Sequence, residues 1–334
     1  MRKSIITVLL CLTSLAIGAQ EKTLSLTDLQ IRDPYILADK ASSTYYLYRA
    51  HNAKNADGKE TGGIEVYSSK DLKQWHGPKQ VLTLPSDNWS TGVIWAPEVH
   101  KYKGKYYAFA TVNSDVKWKN NVEGWAEYKW RGTQIFRADT PTGPFLPLTK
   151  HQQTPLDEMA LDGTLWVEDG TPYMVYCHEW VQVCDGTINL VRMSPDLSHT
   201  VGNPQMLFNA TAAPWATGVA TEVADMPRAV VTDGCFLYRT RTGKLLMIWS
   251  SFHDKDYATG IAESTTGKVA GPWRQQTEPL YTSDGGHGML FHTFDGKLCI
   301  VLHSPNSGNE RAHIFRVNDL GNCLLYTSPS PRDA

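Results

Sequence analysis

Five polar residues sit in settings that chemistry could use: Asp33 in Ile-Arg-Asp-Pro-Tyr, Glu98 in Trp-Ala-Pro-Glu-Val, Asp162 in Leu-Asp-Gly-Thr-Leu, Asp233 in Thr-Asp-Gly-Cys-Phe and His287 in Gly-His-Gly-Met. Each lies beside a Gly or Pro that bends the chain, and each precedes an apolar run. Carboxylates brought together in a low-dielectric pocket cannot all ionise, so their pKa values are driven apart. One then stays charged as a base while another is held protonated as an acid, the division of labour that hydrolysis of a glycosidic bond requires. Other chemistries lack their residues. The chain has no GxSxG elbow, P-loop, dinucleotide fingerprint or HExxH. Without a CxxC, a thiolate zinc site is not expected either. The five scattered cysteines of the mature chain (Cys177, Cys184, Cys235, Cys299 and Cys323) read as buried free thiols.

The elements that must position these residues repeat along the chain. Apolar runs at Tyr45–Tyr48, Tyr106–Phe109, Tyr173–Tyr176, Leu245–Trp249 and Leu298–Leu302 read as short buried strands. Turn pairs such as Lys103-Gly104, Asp169-Gly170 and Asp295-Gly296 introduce them. The five polar residues are 65, 64, 71 and 54 residues apart, about one fifth of the chain each time. Further strand echoes follow each hairpin, and no amphipathic helix stands out. Four strands per unit in five units predicts an all-β, five-bladed β-propeller with a central funnel-shaped active site, built over residues 20–322. The innermost strands of such a ring line its axis, which would gather Asp33, Glu98, Asp162, Asp233 and His287 around one pocket.

Composition narrows the ligand. Net charge is -2, charged residues make up 20%, and the chain carries 11 Trp and 15 Tyr against 9 Phe. Amphipathic rings without a basic surface favour stacking on sugars over binding nucleic acid. Residues 1–19 read as a cleaved export signal, with Arg2 and Lys3 ahead of an apolar run from Ile5 to Ile17 and small residues at its end. The mature protein is therefore expected outside the cytoplasm, in the periplasm or beyond, with no membrane anchor.

On Arg32-Asp33-Pro34-Tyr35, Trp95-Ala96-Pro97-Glu98, Leu161-Asp162-Gly163-Thr164, Thr232-Asp233-Gly234 and Gly286-His287-Gly288, the chain resembles family 43 of the glycoside hydrolases. The resemblance runs from about Thr27 to Asn322. It implies an inverting exo-acting enzyme that removes terminal α-L-arabinofuranosyl units from plant cell-wall polysaccharide side chains. The alternatives are a β-xylosidase or exo-galactosidase on the same scaffold, or a carbohydrate-binding propeller without turnover. By the same resemblance Asp33 is the general base, and Asp162 tunes the acid and orients the sugar. The acid is Asp233, with Glu222 in the preceding loop as the competing candidate, because the family's Glu-Gly-Pro reads Asp-Gly-Cys here. His287 matches an axial histidine beside a calcium ion or its waters, no cofactor being required. Trp95, Glu98, His178, Trp180 and Arg239 are expected to bind substrate, with Trp89, Glu179, Trp215 and Arg311 as further rim candidates. A monomer is expected. Residues 323–334 match nothing in the family and resemble read-through of a sequencing adapter, which would cost the ring its closing strand.

Overall fold

The computed structural model describes residues 23–219 and 229–326. The expected export signal and Glu222 lie outside the described residues. Twenty strands form five four-stranded antiparallel sheets, each from consecutive strands in chain order. Blade one holds β1 (Tyr35–Asp39), β2 (Thr44–Lys54), β3 (Glu60–Ser69) and β4 (His76–Thr83). Blade two holds β5 (Ile94–Tyr102), β6 (Lys105–Lys117), β7 (Lys129–Ala138) and β8 (Leu146–Pro147). Blade three has β9 (Ala160–Glu168), β10 (Thr171–His178), the single helical turn α1 (Trp180–Val183), β11 (Thr187–Met193) and β12 (Thr200–Asn209). Blade four follows with β13 (Asp233–Arg239), β14 (Leu245–His253), β15 (Asp256–Ser264) and β16 (Trp273–Gln275). Blade five is β17 (Gly286–His292), β18 (Leu298–Ser304), β19 (Arg311–Asp319) and β20 (Leu324–Tyr326). The protein is thus the five-bladed propeller that the spacing predicts.

Local chemistry makes the hairpins. At Lys103-Gly104 and Asp169-Gly170 both central residues have positive φ, the twist a two-residue loop needs to match its strands. The core lies between blades. Tyr107, Phe109 and Ile135 of blade two meet Met174, Tyr176 and Val191 of blade three. A second cluster packs Ile188 and Val175 against Met247 and Trp249, and a third packs Ile248 against Ile300 and Leu302. The largest cluster joins blades one, two and five, and so closes the ring by apolar packing. Part of the segment read as a foreign tail is built into this sheet. Leu324–Tyr326 pairs with Val317–Asp319 and supplies the fourth strand of blade five. Among the described residues no strand is shared between blades one and five, and a single Gln30–Arg311 bridge links them. Among the described residues no helix is long and apolar enough to cross a membrane. Cys177, Cys235 and Cys299 are buried free thiols, as expected, whereas Cys184 and Cys323 are only half-buried.

Candidate active site

Each innermost strand reaches the axis through the same backbone device. Asp33, Ala96, Asp162, Gly234 and His287, one per blade, all have φ between 43° and 55°. In blades two, four and five the register with the second strand breaks at this point, and in blade three it breaks opposite Asp162. A residue in the left-handed region within a bulge swings its side chain out of the normal alternation. Here that turns Asp33, Asp162 and His287 inward. Blade two carries Ala96 at the equivalent position, so Glu98 falls two residues too deep. It is buried under the floor, where its Oε2 pairs with His100 Nε2 at 2.8 Å. Blade four carries Gly234 there, and Asp233 enters the site from one position earlier.

Arg32, Asp33, Trp95, Asp162, Glu179, Trp180, Asp233, Phe252, Tyr257, His287 and Asn306 line a cavity of about 660 Å³, together with Leu161, Val219 and Val231. At its floor His287 Nδ1 lies 3.3 Å from Asp33 Oδ1 and 3.8 Å from Asp162 Oδ2. Burial alone would raise Asp33, but His287, His303 and Arg32 outweigh it and hold the carboxyl below its ordinary range. The Asp33 amide donates to His303 Nδ1 at 3.2 Å, so that nitrogen carries no proton. Burial lowers His303 accordingly. Asp33 Oδ1 is buried and has no hydrogen-bond partner among the described residues. A carboxylate held ionised on the cavity lining can take a proton from water.

The other two carboxyls are pushed the opposite way. Burial raises both Asp162 and Asp233, and the charge of Asp33 adds to it, while His287 opposes. Asp162 accepts from the Gly234 amide at 3.2 Å, and its own amide donates to Thr111 Oγ1 at 2.9 Å. The Tyr257 hydroxyl donates to Asp233 Oδ2 at 2.9 Å. That bond leaves Oδ1 to carry and release a proton. His287 responds to the three carboxyls. Burial would lower it, yet Asp33, Asp162 and Asp233 raise it and favour its charged form.

The remaining expected site residues divide sharply. Trp95, Trp180 and Glu179 line the cavity. His178 does not: its Nε2 contacts Gln182 Oε1 at 2.8 Å, facing the underside of α1. Arg239 lies at the opposite end of β13 from Asp233, where it bonds the carbonyls of Gly243 and Gly267. Seven residues of extended strand separate the two ends, so it cannot reach the sugar. Trp215 is buried against Trp249, Trp89 bonds Gln134 Oε1, and Arg311 donates to the Thr27 and Glu310 carbonyls. None of these three lines the cavity. Three polar lining residues escaped the sequence reading. Tyr257 is the second residue of β15, just after the Asp254-Lys255 turn, which carries no Gly or Pro, and Asn306 lies in the loop after β18. Arg32 stands next to Asp33 in a quoted motif, and its Nη2 donates to Asn306 Oδ1 at 3.2 Å across the seam between blades one and five.

Calcium takes six to eight oxygen ligands. His287 offers one ring nitrogen, its Nδ1 already faces Asp33, and among the described residues no group of three or more His, Cys, Asp or Glu could hold a metal ion. These side chains do not make a calcium cage, and no step below runs through one.

The family model described as glycosyl hydrolases family 43 matches residues 26–319. Among solved structures, an endo-arabinase from Bacteroides thetaiotaomicron VPI-5482 is 39% identical, with a TM-score of 0.77 over 90% of this chain and 98% of that one. An α-L-arabinofuranosidase from Lactobacillus brevis is 19% identical, with a TM-score of 0.67 over 90% and 96%, a likeness of fold alone. The extracellular endo-alpha-(1->5)-L-arabinanase 1 of Bacillus subtilis (strain 168) is 36% identical over 61 residues, which is 16% of this chain and 19% of that relative. The match to that curated relative therefore spans about a fifth of its length.

Proposed function

The chain belongs to family 43 of the glycosyl hydrolases, and from that premise we propose that it hydrolyses α-L-arabinofuranosyl linkages of plant arabinan by a single displacement with inversion. In this reading Asp33 is the base that draws a proton from the attacking water, and Asp233 is the acid that protonates the departing sugar oxygen. Asp162, raised by burial beside them, orients the sugar, while burial and the charge of Asp33 keep Asp233 from ionising. The observation that carries the reading is the division of charge: Asp33 is held down by His287, while burial holds up Asp162, Asp233 and, against Arg131, Glu179. Such a split supports general acid–base work at one glycosidic bond.

Cleavage within the arabinan chain is favoured over the release of terminal units expected from the sequence. The support is the relative named an endo-arabinase, matched over nearly its whole length at 39% identity. The Bacillus relative is extracellular by name, in keeping with an exported enzyme whose substrate is outside the cell. Incubation with linear α-1,5-arabinan tests the reading, with products followed by chromatography and the first-formed anomer by NMR. A mixture of arabino-oligosaccharides with inverted configuration is expected. Arabinose alone from the outset would restore terminal release. Turnover only on aryl β-xyloside or β-galactoside would replace the sugar, and a retained anomer would overturn the single displacement. A wild type that binds arabinan without cleaving it would make the propeller a binding module.

A further inference from the structure

The cavity lining holds a fourth carboxyl that the acid–base trio does not use. Glu179 is 8% exposed and lines the cavity. Its Oε1 accepts from Arg131 Nη1 at 3.0 Å, while Oε2 is buried with no partner among the described residues. A buried acceptor without a partner leaves its lost hydration uncompensated, so such an atom asks for a ligand. The residue is fixed from several sides. Its amide donates to the Met159 carbonyl at 2.9 Å, and its carbonyl receives the Gln182 amide at 2.9 Å as α1 begins. Gln182 ties α1 down through the Asp157 carbonyl, and Trp125 Nε1 donates to the Val181 carbonyl.

Two aromatic rings flank this carboxylate. The Arg131 guanidinium lies 4.6 Å over one face of Trp95, itself 40% exposed on the cavity wall. One face of the indole is thus covered by a charge and the other is open. Trp180, the residue after Glu179, stands edge-on to Trp125 at 5.2 Å and also lines the cavity. An open indole face packs on the C–H face of a sugar, and a fixed carboxylate oxygen beside it accepts a hydroxyl. We propose that Glu179, held by Arg131 between Trp95 and Trp180, is a specificity-determining residue that takes a hydroxyl of the pentosyl substrate on its bare Oε2. The inference rests on the glycosidase reading above. Glu179 is the one ion-pair partner of Arg131 among the described residues. Burial pushes the Glu179 carboxyl up to about 7 while Arg131 opposes the rise. The ion pair fixes the side chain as an anchor, and a proton-donor role is the alternative that the test separates.

The test measures kcat and KM on arabinotriose and on 4-nitrophenyl α-L-arabinofuranoside, with arabinotriose affinity measured by calorimetry in an Asp33→Asn background. Wild-type turnover on these substrates checks the parent reading separately. Glu179→Ala is expected to weaken affinity and raise KM about 10- to 100-fold, the worth of a hydrogen bond to a charged group, with kcat changed less than about 3-fold. Glu179→Gln should fall between Ala and wild type, because its amide oxygen still accepts. The double variant Arg131→Met/Glu179→Ala removes both buried charges, and should keep the wild-type unfolding midpoint while losing affinity like Glu179→Ala. Unchanged affinity in the folded double variant would overturn the proposal. So would a collapse of kcat on arabinotriose with the aryl glycoside spared, since that pattern belongs to a proton donor.

Discussion

Four carboxyls and the His287 imidazole line one buried cavity, with His303 behind Asp33, and substitution of each should leave a different mark. Asp33→Asn keeps the shape but cannot take a proton from water. It is expected to lower kcat more than 10³-fold while arabinotriose still binds, because the base acts only in the chemical step. Near wild-type kcat would remove Asp33 from the mechanism. For the acid, Asp233→Ala should cost about 10²–10⁴-fold on arabinan and far less on 4-nitrophenyl α-L-arabinofuranoside, whose leaving group needs little protonation. The same leaving-group dependence on Glu222→Ala, and not on Asp233→Ala, would move the donor to the loop. Tyr257 is a positioning residue with a test of its own. Its hydrogen bond lowers Asp233 against the dominant rise from burial. Without that bond Asp233 rises further, and a donor must be protonated, so activity is lost at a higher pH than before. Tyr257→Phe should therefore shift the alkaline limb of the kcat/KM profile upward while leaving the acid limb set by Asp33 in place. A limb that stays put, or moves down, would separate Tyr257 from the donor. Asp33, Asp162, Asp233 and His287 were legible in the sequence because each stands beside the Gly or Pro that shapes its turn. Tyr257 and Arg131 were not, since they belong to third strands and reach the site only after the blade has folded.

At the scale of the strand, the site depends on five left-handed residues, four of which carry a Cβ. Each such residue costs about 1 kcal/mol or more, which the ring of blades sustains at the axis. The one exception is Gly234 in blade four, where an added Cβ would lie 2.8 Å from His287 Cγ and 2.9 Å from its Cα. Gly296 gives the control: it has φ 84° and nothing within 4 Å of an added Cβ. Gly296→Ala should cost about 1 kcal/mol from backbone strain alone. Gly234→Ala adds overpacking of about 1–3 kcal/mol and pushes His287 off Asp33, so kcat should fall at least 10-fold. Equal unfolding midpoints and equal rates for the two variants would show that the contact does not hold His287. The same bulges explain where the sequence reading slipped by one or two residues. A spacing near one fifth of the chain is visible in turn and strand patterns, and it delivered the five blades. The register within a bulge is a property of φ, and Ala96 carries no side-chain sign of it. The eye therefore went to Glu98, a charged neighbour that in the folded chain points at His100. Arg239 misled for a related reason: it shares a strand with Asp233, but at its far end.

At the scale of the ring, function depends on a seam. Among the described residues blades one and five share no strand, and their union there rests on apolar packing and on the segment that crosses between them. Ile31 is 1% exposed in that segment, and its amide donates to the Glu310 carbonyl at 3.1 Å. Phe294 of blade five stacks on Tyr45 of blade one at 4.2 Å, and its amide bonds the Tyr45 hydroxyl. The two residues after Ile31 are Arg32, which bridges to Asn306 and Glu310, and Asp33 itself. A seam that loosens thus moves the base before the rest of the ring lets go. Ile31→Ala should lower stability by about 2–5 kcal/mol, as truncation of a buried aliphatic does. Leu302→Ala, fully buried between blades four and five, should cost a similar amount. The two should differ in how activity fails. In Leu302→Ala, turnover should persist up to the temperature at which circular dichroism reports unfolding. In Ile31→Ala, turnover should fall several degrees earlier, because local opening at the seam displaces Asp33 while the other blades hold. If activity and structure melt together in both variants, the ring opens as one cooperative unit and the seam has no separate hold on the base.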